Sequence, residues 1–392
     1  MINLKDKKDC CGCTACSSIC ARKAISFYED KEGFLYPKVN KQQCVDCGLC
    51  IKVCPVTYYR DVSKKADPVV YASINKDREE YLSSSSGGIF IVLANQVVSE
   101  GGIVVGASYD ADWHVVHTIA ETKEECKKFQ KSKYVQSDIR GIFKQIKDYL
   151  LKGRKVLFSG TPCQVAGLKL FLMKPYRNLI TVDIVCHGVP SPKIYHEYLN
   201  FVSKCSAIKT LDFKTKNTNN HSTCLSIELE DGTRFENRLI TRVWNKLQFS
   251  NCIERPSCYD CQFSHLNRPA DITIGDYWHY SKHSAAFFPN RAPSLVLLNT
   301  DAGKQLFDMI QERLHLEQSD TKTCLQPNLM HPTKESIHRS MFWEAFEDMS
   351  FKSLISVYAD YTIKNRIKDF VTHSLFINKA IKRIVYRQYQ NK

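Results

Sequence analysis

Two runs of cysteine near the amino terminus repeat the spacing C-x2-C-x2-C-x3-C, and Pro55 follows the second run. The eight cysteines are Cys10, Cys13, Cys16, Cys20, Cys44, Cys47, Cys50 and Cys54. Thiolates at this spacing bind two [4Fe-4S] clusters, with the fourth cysteine of each run ligating the cluster of the other run. The spacing therefore predicts one cluster on Cys10, Cys13, Cys16 and Cys54, and a second on Cys20, Cys44, Cys47 and Cys50.

Other residues in these runs agree with an iron–sulfur interpretation. Gly12 and Gly48 lie inside the loops, where the backbone must approach the cluster sulfides closely. Zinc is the alternative metal, but zinc knuckles use cysteine pairs separated by longer stretches, so two complete four-cysteine runs fit zinc poorly. Cys11 lies off the pattern and is interpreted as a spectator. Residues 1–65 are thus predicted to form a two-cluster ferredoxin module of α+β type.

Four further cysteines lie in loops of the main part of the chain, and they are Cys163, Cys186, Cys258 and Cys261. Cys163 and Cys186 each follow a predicted strand, so both are expected at the carboxyl edge of one sheet, where open α/β sheets bind ligands. If the C-x-x-C pair at 258–261 meets them, the four could ligate a third [4Fe-4S] cluster. Zinc is again the alternative metal, and Cys252 is a competing ligand.

A serine- and glycine-rich loop, Ser83 to Gly88, comes directly before a predicted helix. Small residues at a helix amino terminus leave backbone and hydroxyl donors available for a phosphate or another anion. The alternative is a flexible linker with a serine N-cap. A similar loop, Gly160-Thr161-Pro162, precedes Cys163; Thr161 suits an N-cap and Pro162 the first helical position, so Cys163 is expected in the first turn.

The elements that must position these loops follow from hydrophobic periodicity. Strands are predicted at 69–74, 103–107, 155–158 and 179–185, and helices at 89–99, 139–151, 164–172 and 192–203. This alternation predicts an α/β domain over residues 66–355. Asp231-Gly232 lies between two strand-like segments and predicts a hairpin, so part of the sheet is expected to be antiparallel, which makes it a mixed sheet.

Composition excludes several classes of protein. The 392 residues include 18 cysteines and carry a formal charge of +14. Disulfide scaffolds are small secreted domains, and no secretory leader is recognisable here, so a cytoplasmic protein is expected. No apolar run approaches the roughly 18 residues that span a bilayer. No recognition motif accompanies the basic charge, so nucleic-acid binding is not predicted.

The carboxyl-terminal segment, residues 356–392, has apolar residues at largely helical spacing with basic residues among them. A basic amphipathic helix of this kind can touch an anionic membrane surface or an acidic partner. The alternative is a helix that packs on the domain and exposes a solvated basic face.

Residues 66–320 resemble the coenzyme F420 hydrogenase/dehydrogenase beta-subunit family. The segments that carry the resemblance are S-S-S-G-G at 84–88, S-K-Y-V-Q-S-D at 132–138, V-L-F-S-G-T-P-C-Q at 156–164, D-I-V-C-H-G-V-P-S-P at 183–192, C-Y-D-C at 258–261 and A-D-I-T-I-G-D at 270–276. The resemblance implies a flavin, FAD, in the α/β domain. The residues it places at the flavin are Ser85, Ser86, Gly87, Gly88, Lys133, Gly160, Thr161, Pro162, Gln164 and Gly188. His187 is the candidate for proton transfer.

The function expected from these observations is an iron–sulfur flavoprotein oxidoreductase. Clusters pass single electrons, and a flavin joins them to the two-electron hydride chemistry of a small substrate or coenzyme, either coenzyme F420 or a substrate of a polysaccharide pathway. A redox partner protein or a ferredoxin is the expected macromolecular partner. The alternative is a non-catalytic electron-transfer subunit that serves a separate enzyme.

Overall fold

The computed structural model describes residues 1–58, 67–216, 224–278, 280 and 293–373. Its contacts group the chain into two compact units. The first comprises Met1–Ile194, Lys214–Thr223 and Glu254–Lys334, and the second Tyr195–Phe213, Cys224–Ile253 and Glu335–Lys392. The domain boundaries expected at residues 65 and 355 remain predictions.

The amino-terminal part of the first unit consists of short elements around the cysteine runs. They are α1 (Ala15–Ile19), β1 (Ile25–Glu29), β2 (Leu35–Val39), α2 (Leu49–Lys52) and α3 (Pro55–Tyr58). Strands β1 and β2 form an antiparallel hairpin in which Ile25 pairs with Val39. The side chains of Phe34 and Tyr36 on this hairpin are fully buried.

An eight-stranded mixed sheet forms the centre of the first unit. Its strands are β3 (Val69–Asn75), β4 (Ile103–Tyr109), β5 (Val115–Ala120), β6 (Val156–Gly160), β7 (Leu179–Ile184), β11 (Ile272–Asp276), β12 (Ser294–Leu298) and β13 (Leu314–Ser319). The strand order is β13-β3-β12-β11-β7-β6-β4-β5. The four strands β4, β6, β7 and β11 are parallel neighbours, and the outer pairs are antiparallel. The carboxyl ends of β6 and β7 therefore lie side by side.

Both faces of this sheet are covered by apolar side chains. The helices of the unit are α4 (Arg78–Leu82), α5 (Ile89–Ser99), α6 (Lys123–Cys126), α7 (Ile142–Leu151), α8 (Pro162–Leu172) and α11 (Asp301–Asp308). Along β4, Val104 packs with residues of α5 and α11, whereas Ile103 and Val105 pack with α7 and α8. This alternation is typical of a sheet covered on both sides. Cys13 and Val53 belong to the α7–α8 core, so the cysteine runs share a core with the sheet.

The second unit has its own sheet and core. Its elements include β9 (Cys224–Leu229), β10 (Arg234–Glu236), α10 (Leu239–Phe249), α12 (Arg339–Asp348), α13 (Phe351–Tyr358) and α14 (Ile363–His373), and most of α9 (Pro192–Val202) and of β8 (Ile208–Thr215). The core is aromatic: Trp244 packs against Tyr195, Tyr198 and Phe213, with ring centroids 5.5–5.9 Å apart. Such contacts stabilise a small unit beyond simple area burial.

The predicted alternation of strands and helices agrees with the structure, but one element lies elsewhere. The predicted hairpin at Asp231-Gly232 is formed by β9 and β10, and Gly232 has a φ of 83°. It belongs to a separate three-stranded sheet with the order β10-β9-β8, and not to the main sheet. The main sheet is mixed for a different reason, because β3, β5, β12 and β13 run antiparallel to their neighbours.

The predicted carboxyl-terminal helix is described only in its first part, as α14, and the apolar and basic positions beyond residue 373 lie outside the described residues. Among the described helices, none has the length and apolar character that a bilayer span requires.

Candidate metal and redox centre

The first cysteine run wraps a tight loop that leads into α1. Gly12 has a φ of 74°, and Thr14, the residue before α1, has a φ of 63°. Cys13 and Cys16 are buried, and Cys10 and Cys20 are half-buried. The backbone N–H of Ala24 donates to Cys20 Sγ at 3.4 Å. Left-handed turns and N–H donors to sulfur are the local features that a cluster-binding loop needs.

The second run is arranged similarly and sends Cys54 back to the first. Gly48 precedes α2 with a φ of 74°, and the N–H of Ile2 donates to Cys50 Sγ at 3.2 Å. Burial raises the pKa of the Cys16 thiol, and the neighbouring Cys10 and Cys54 raise it further. Cys54 thus lies among the cysteines of the first run, as crossed ligation requires. Cys47 of the second run is exposed.

The four later cysteines line one cavity in the first unit. Its volume is about 40 Å³, and its wall includes Cys163, Cys186, Cys258 and Cys261. His187, Gly188 and Arg268 also line it, as do Lys8 and Cys11 from the amino-terminal region. Three chain segments that are distant in sequence therefore bring their thiols to one place.

Cys163 reaches this cavity because α8 starts immediately after β6. Thr161 and Gln164 form a capping box, in which the N–H of Thr161 donates to Gln164 Oε1 at 2.9 Å, and Pro162 occupies the first helical position. The Thr161 hydroxyl lies 3.1 Å from Cys163 Sγ. The local sequence thus sets both the start of the helix and the direction of this thiol. Gly160 is constrained by the same box, because a Cβ there would lie 2.9 Å from Gln164 Oε1.

The loop after β7 carries Cys186 to the same edge of the sheet. Gly188 has a φ of 152°, and a Cβ at this position would lie 2.8 Å from Cγ of Glu254. Pro190 then pairs with Glu254 in an isolated antiparallel bridge. This close approach brings the 254–261 segment, with Cys258 at the end of a short 3-10 helix, against the Cys186 loop.

The protonation of the four thiols indicates what the site can bind. Burial raises the pKa of Cys186 to about 12, and Cys163 and Cys261 act in the same direction. Burial also raises the pKa of Cys258 and of Cys261, with other cysteines of the set among the further causes. Without metal these groups are therefore neutral thiols at pH 7. A bound metal cluster deprotonates its thiol ligands outright, so the donor set fits such a group.

Arg268 supplies a permanent positive charge at the cavity wall. It is fully buried, 3.3 Å from the Asp183 carboxylate, and donates to the carbonyl of Ile184 at 2.8 Å. Its charge acts to lower the pKa of Cys186 and of Cys261, although burial outweighs this effect. A fixed cation beside the four thiols favours the binding of an anionic thiolate-ligated cluster.

Cys11, interpreted above as a spectator, connects the two groups of cysteines. Its thiol interacts with those of Cys13 and Cys163: the interaction with Cys13 raises the pKa of Cys11 and the one with Cys163 lowers it, and the net pKa lies well above the ordinary value. The interaction with Cys11 is also the largest cause of the raised pKa of Cys163. Sequence spacing offers no signal for this contact, because it joins residues that are distant in the chain.

Cys252, the competing ligand, belongs to the second unit. There its thiol donates to the carbonyl oxygen of Ser250 at 3.6 Å.

The segment 132–138 contacts three of the loops that the resemblance singles out. The N–H of Ser132 donates to Ser85 Oγ at 2.6 Å, and Gln164 Nε2 donates to Ser137 Oγ at 3.0 Å. The N–H of Gln136 donates to the carbonyl of Pro190 at 3.1 Å. One extended segment thus connects the serine–glycine loop, the start of α8 and the loop after β7.

The serine–glycine loop itself is tightly packed. A Cβ on Gly87 would lie 2.0 Å from the carbonyl oxygen of Ser73 and 2.6 Å from the nitrogen of Ser294. Gly88 has a φ of 83° and is the N-cap of α5. Ser86 Oγ donates to the carbonyl of Pro293 at 3.1 Å. The loop is therefore a well-ordered connection between α4 and α5.

Two lysines of the first unit have defined partners. Lys133 Nζ donates to the carbonyls of Lys128, Gln130 and Lys131. Lys214 Nζ pairs with the Asp276 carboxylate, and its pKa is raised because Tyr134 and Asp276 outweigh the opposing effect of burial.

His187, the candidate for proton transfer, lies at the wall of the four-cysteine cavity. Its backbone carbonyl accepts a hydrogen bond from Thr333 Oγ1. The chain thus places this residue between Cys186 and Gly188 at the carboxyl end of β7.

Comparison with known proteins identifies two families along the chain. Residues 153–323 match the family described as the C terminus of the coenzyme F420 hydrogenase/dehydrogenase beta subunit, and residues 9–58 match the 4Fe-4S dicluster domain. The first match contains Cys163, Cys186, Cys258 and Cys261, and the second contains both cysteine runs.

Two curated proteins of Methanocaldococcus jannaschii are similar to the chain. One is a coenzyme F420-dependent sulfite reductase, 27% identical over 202 residues, which covers 50% of this chain and 30% of that protein. The other is an uncharacterized protein, 23% identical over 327 residues, with 73% of this chain and 85% of that protein covered. The match thus spans less than a third of the sulfite reductase.

A solved structure of the F420-reducing [NiFe] hydrogenase complex from Methanosarcina barkeri also aligns with the chain. The alignment has a TM-score of 0.44 and 17% identity, and it covers 81% of this chain and 96% of that one. The family matches thus assign residues 153–323 to the C-terminal region of the coenzyme F420 hydrogenase/dehydrogenase beta-subunit family and residues 9–58 to the 4Fe-4S dicluster domain.

Proposed function

We propose that this protein is an iron–sulfur flavoprotein oxidoreductase with three cysteine-ligated clusters. One observation carries the proposal: Cys11 contacts Cys13 of the amino-terminal runs and Cys163 of the four-cysteine cavity, so the two groups of cysteines adjoin each other. When bound, the clusters supply one-electron transfer and a flavin supplies two-electron chemistry. The remaining task of the chain is to hold these groups and control their surroundings.

The spacing of the sulfur atoms favours a cluster over a single zinc ion at the cavity. Over the part of the chain that the structure describes, no three cysteine sulfurs lie all within 4.8 Å of one another. Four zinc–sulfur bonds of about 2.3 Å would hold the sulfurs within about 3.8 Å. The ligands we assign are Cys163, Cys186, Cys258 and Cys261.

The flavin is assigned to the loops that the 132–138 segment connects. Ser85, Gly88 and Gln164 belong to those loops, and the N-terminal end of α5 offers backbone donors to a phosphate. The other residues assigned to this site are Ser86, Gly87, Lys133, Gly160, Thr161, Pro162 and Gly188. Because Lys133 donates to three backbone carbonyls, its contribution is to fix the loop at 128–131.

His187 is the residue we assign to proton transfer, because it stands at the cavity wall next to a proposed cluster ligand. Its substitution by alanine should lower the rate of flavin-dependent turnover while iron and flavin content stay unchanged. Unchanged turnover in His187→Ala would remove the residue from the mechanism.

The relatives suggest which substrate or coenzyme exchanges two electrons with the flavin. Both the family description and the sulfite reductase point to coenzyme F420. A substrate of a polysaccharide pathway is the other candidate. Anaerobic assay with reduced coenzyme F420 and an artificial electron acceptor separates them, because turnover by the isolated chain requires that the coenzyme binds and reacts.

The alternative function is a non-catalytic electron-transfer subunit that passes electrons to a partner enzyme. Such a subunit would use the same eight amino-terminal cysteine ligands as the proposed oxidoreductase, but it would bind no flavin. An exposed Cys47 gives either form a site where a redox protein can approach.

Iron, sulfide, zinc and flavin measured on one anaerobic sample test the proposal. About twelve irons and one flavin per chain would support it. About eight irons with one flavin would remove the third cluster, and about eight irons without flavin uptake would favour the carrier. Zinc in place of four irons would identify the cavity as a zinc site.

We also propose that α14 contacts a membrane surface or an acidic partner. Asp369 on one face accepts hydrogen bonds from Arg238 Nε at 2.9 Å and from the N–H of Leu239 at 2.8 Å. Ile363, Ile367 and Phe370 are 60–72% exposed, an unusual arrangement for apolar side chains on a helix. Co-sedimentation with anionic vesicles should be lost when these three become serine, and equal sedimentation of both forms would contradict the proposal.

A further inference from the structure

Arg255 is a buried cation that reaches the first cysteine run from the segment that carries Cys258. Only 1% of its surface is exposed. Its Nε donates to the carbonyl oxygen of Cys10 at 2.7 Å, and its Nη2 lies 3.5 Å from Cys10 Sγ. The guanidinium therefore contacts a proposed cluster ligand directly, through both backbone and sulfur.

The rest of the guanidinium is held in one orientation. Nη1 donates to Gln136 Oε1 at 2.9 Å, and Nη2 donates to the carbonyl of Leu35 at 2.9 Å. The ring of Tyr36 lies beneath it, 4.4 Å from Cζ, and Phe34 lies 5.3 Å away. Three donor directions and an aromatic floor leave the side chain little freedom.

Within the described part of the chain, no carboxylate pairs with Arg255. A fully buried charge without a counter-charge is strongly unfavourable. Arg268, the other buried arginine of this region, has Asp183 as its counter-charge. The missing anion at Arg255 is supplied if Cys10 is a thiolate ligand, because a [4Fe-4S] cluster with four thiolates carries net negative charge.

We propose that Arg255 positions the Cys10 ligand and raises the reduction potential of the cluster bound by Cys10, Cys13, Cys16 and Cys54. This inference rests on the proposed function, since it requires that the cluster be present. A nearby positive charge and a hydrogen bond to sulfur both stabilise the reduced cluster, which carries one more negative charge. No comparable buried cation lies among the described contacts of Cys44, Cys47 and Cys50, so the effect should be specific to one of the two amino-terminal clusters.

The test is film voltammetry of the anaerobically purified full-length protein and its Arg255→Gln variant. One cluster wave should move to more negative potential, while the other amino-terminal wave stays in place. Arg255→Lys, which retains the charge, should show a smaller shift. Arg140→Gln, which removes an exposed arginine paired with Asp138, is the matched control and should shift no wave.

Two further variants identify which cluster gives the shifted wave and provide a test if Arg255→Gln does not fold. Repeating the measurement in a Cys261→Ala background separates an amino-terminal cluster from the cavity site, and the shift should persist there. If Arg255→Gln does not fold, Gln136→Glu places a carboxylate against the guanidinium and should shift the same wave in the same direction. Intact iron content with unshifted waves in these variants overturns the inference, whereas a wild-type protein without any cluster wave overturns the proposed function instead.

Discussion

The thiols of Cys11 and Cys163 lie close enough to interact, although the residues belong to the amino-terminal cysteine loop and to the first turn of α8. The thiol of Cys11 also interacts with that of Cys13. A single side chain outside the ferredoxin spacing therefore fills the space between two sets of proposed ligands, and its substitution tests how the sets are divided.

Cys11→Ala should leave the iron content of the protein unchanged, because Cys11 is a neighbour of the ligands and not one of them. Iron and sulfide analysis of the anaerobically purified variant checks this. Cys163→Ala, measured beside it, should lose about four irons per chain. A loss of four irons in Cys11→Ala would instead make Cys11 a ligand and require a different assignment.

Cys261→Ala should likewise remove about four irons, because a [4Fe-4S] cluster at the cavity would lack its fourth thiolate. The electron paramagnetic resonance signals of the two amino-terminal clusters should remain. Cys324→Ala is the matched control, because Cys324 is also buried but packs in a different core and donates to the carbonyl of Thr321. Equal iron in Cys261→Ala and wild type would exclude a cluster at the cavity.

Gly87→Ala should destabilise the protein by about 3 kcal/mol or more, because the new methyl group overlaps two backbone atoms of the neighbouring strands. Gly153→Ala is the comparison: its φ is 78° and its surroundings are open, so only backbone strain of about 1–2 kcal/mol is expected. Urea unfolding measures both. A similar decrease in the free energy of unfolding for the two variants would show that the serine–glycine loop adjusts to the added methyl group.

His117 should make stability depend on pH. Burial lowers its pKa to about 4, below the 6.5 of an exposed imidazole. Between these values the unfolded chain binds more protons than the folded one, so the imidazole's stabilising contribution is complete above pH 6.5 and decreases as the pH falls toward 4. From pH 7.5 to 5.5 the loss should be about 1.3 kcal/mol.

The control for this dependence is His117→Phe, which keeps a ring against Phe158, 5.7 Å away in the wild type. The difference in unfolding free energy between wild type and variant should change by that amount between pH 7.5 and 5.5. A difference independent of pH would mean that the imidazole has the same pKa in the folded and the unfolded protein.

Much of the site could be predicted from the sequence because its features are local. The two cysteine runs define their own loops, since ligand spacing depends on a few adjacent residues. The start of α8 at Pro162, with Thr161 and Gln164 as its capping box, also follows from neighbouring side chains. The expectation that Cys163 and Cys186 emerge together is consistent with the parallel pairing of β6 and β7.

Other features depended on contacts between distant segments. The sequence predicted the β9–β10 hairpin but not its sheet, because strand pairing beyond a hairpin depends on which elements pack beside it. The sequence itself predicted cluster loops within residues 1–65 and an α/β sheet after them. Only the tertiary structure decided that Cys258 and Cys261 join Cys163 and Cys186, that Cys11 lies between the two sets, and that Arg255 is buried against Cys10. The physical reason is that cysteine spacing in the sequence constrains a thiol only relative to its near neighbours. The meeting of distant segments and the burial of their side chains depend on how the whole core packs.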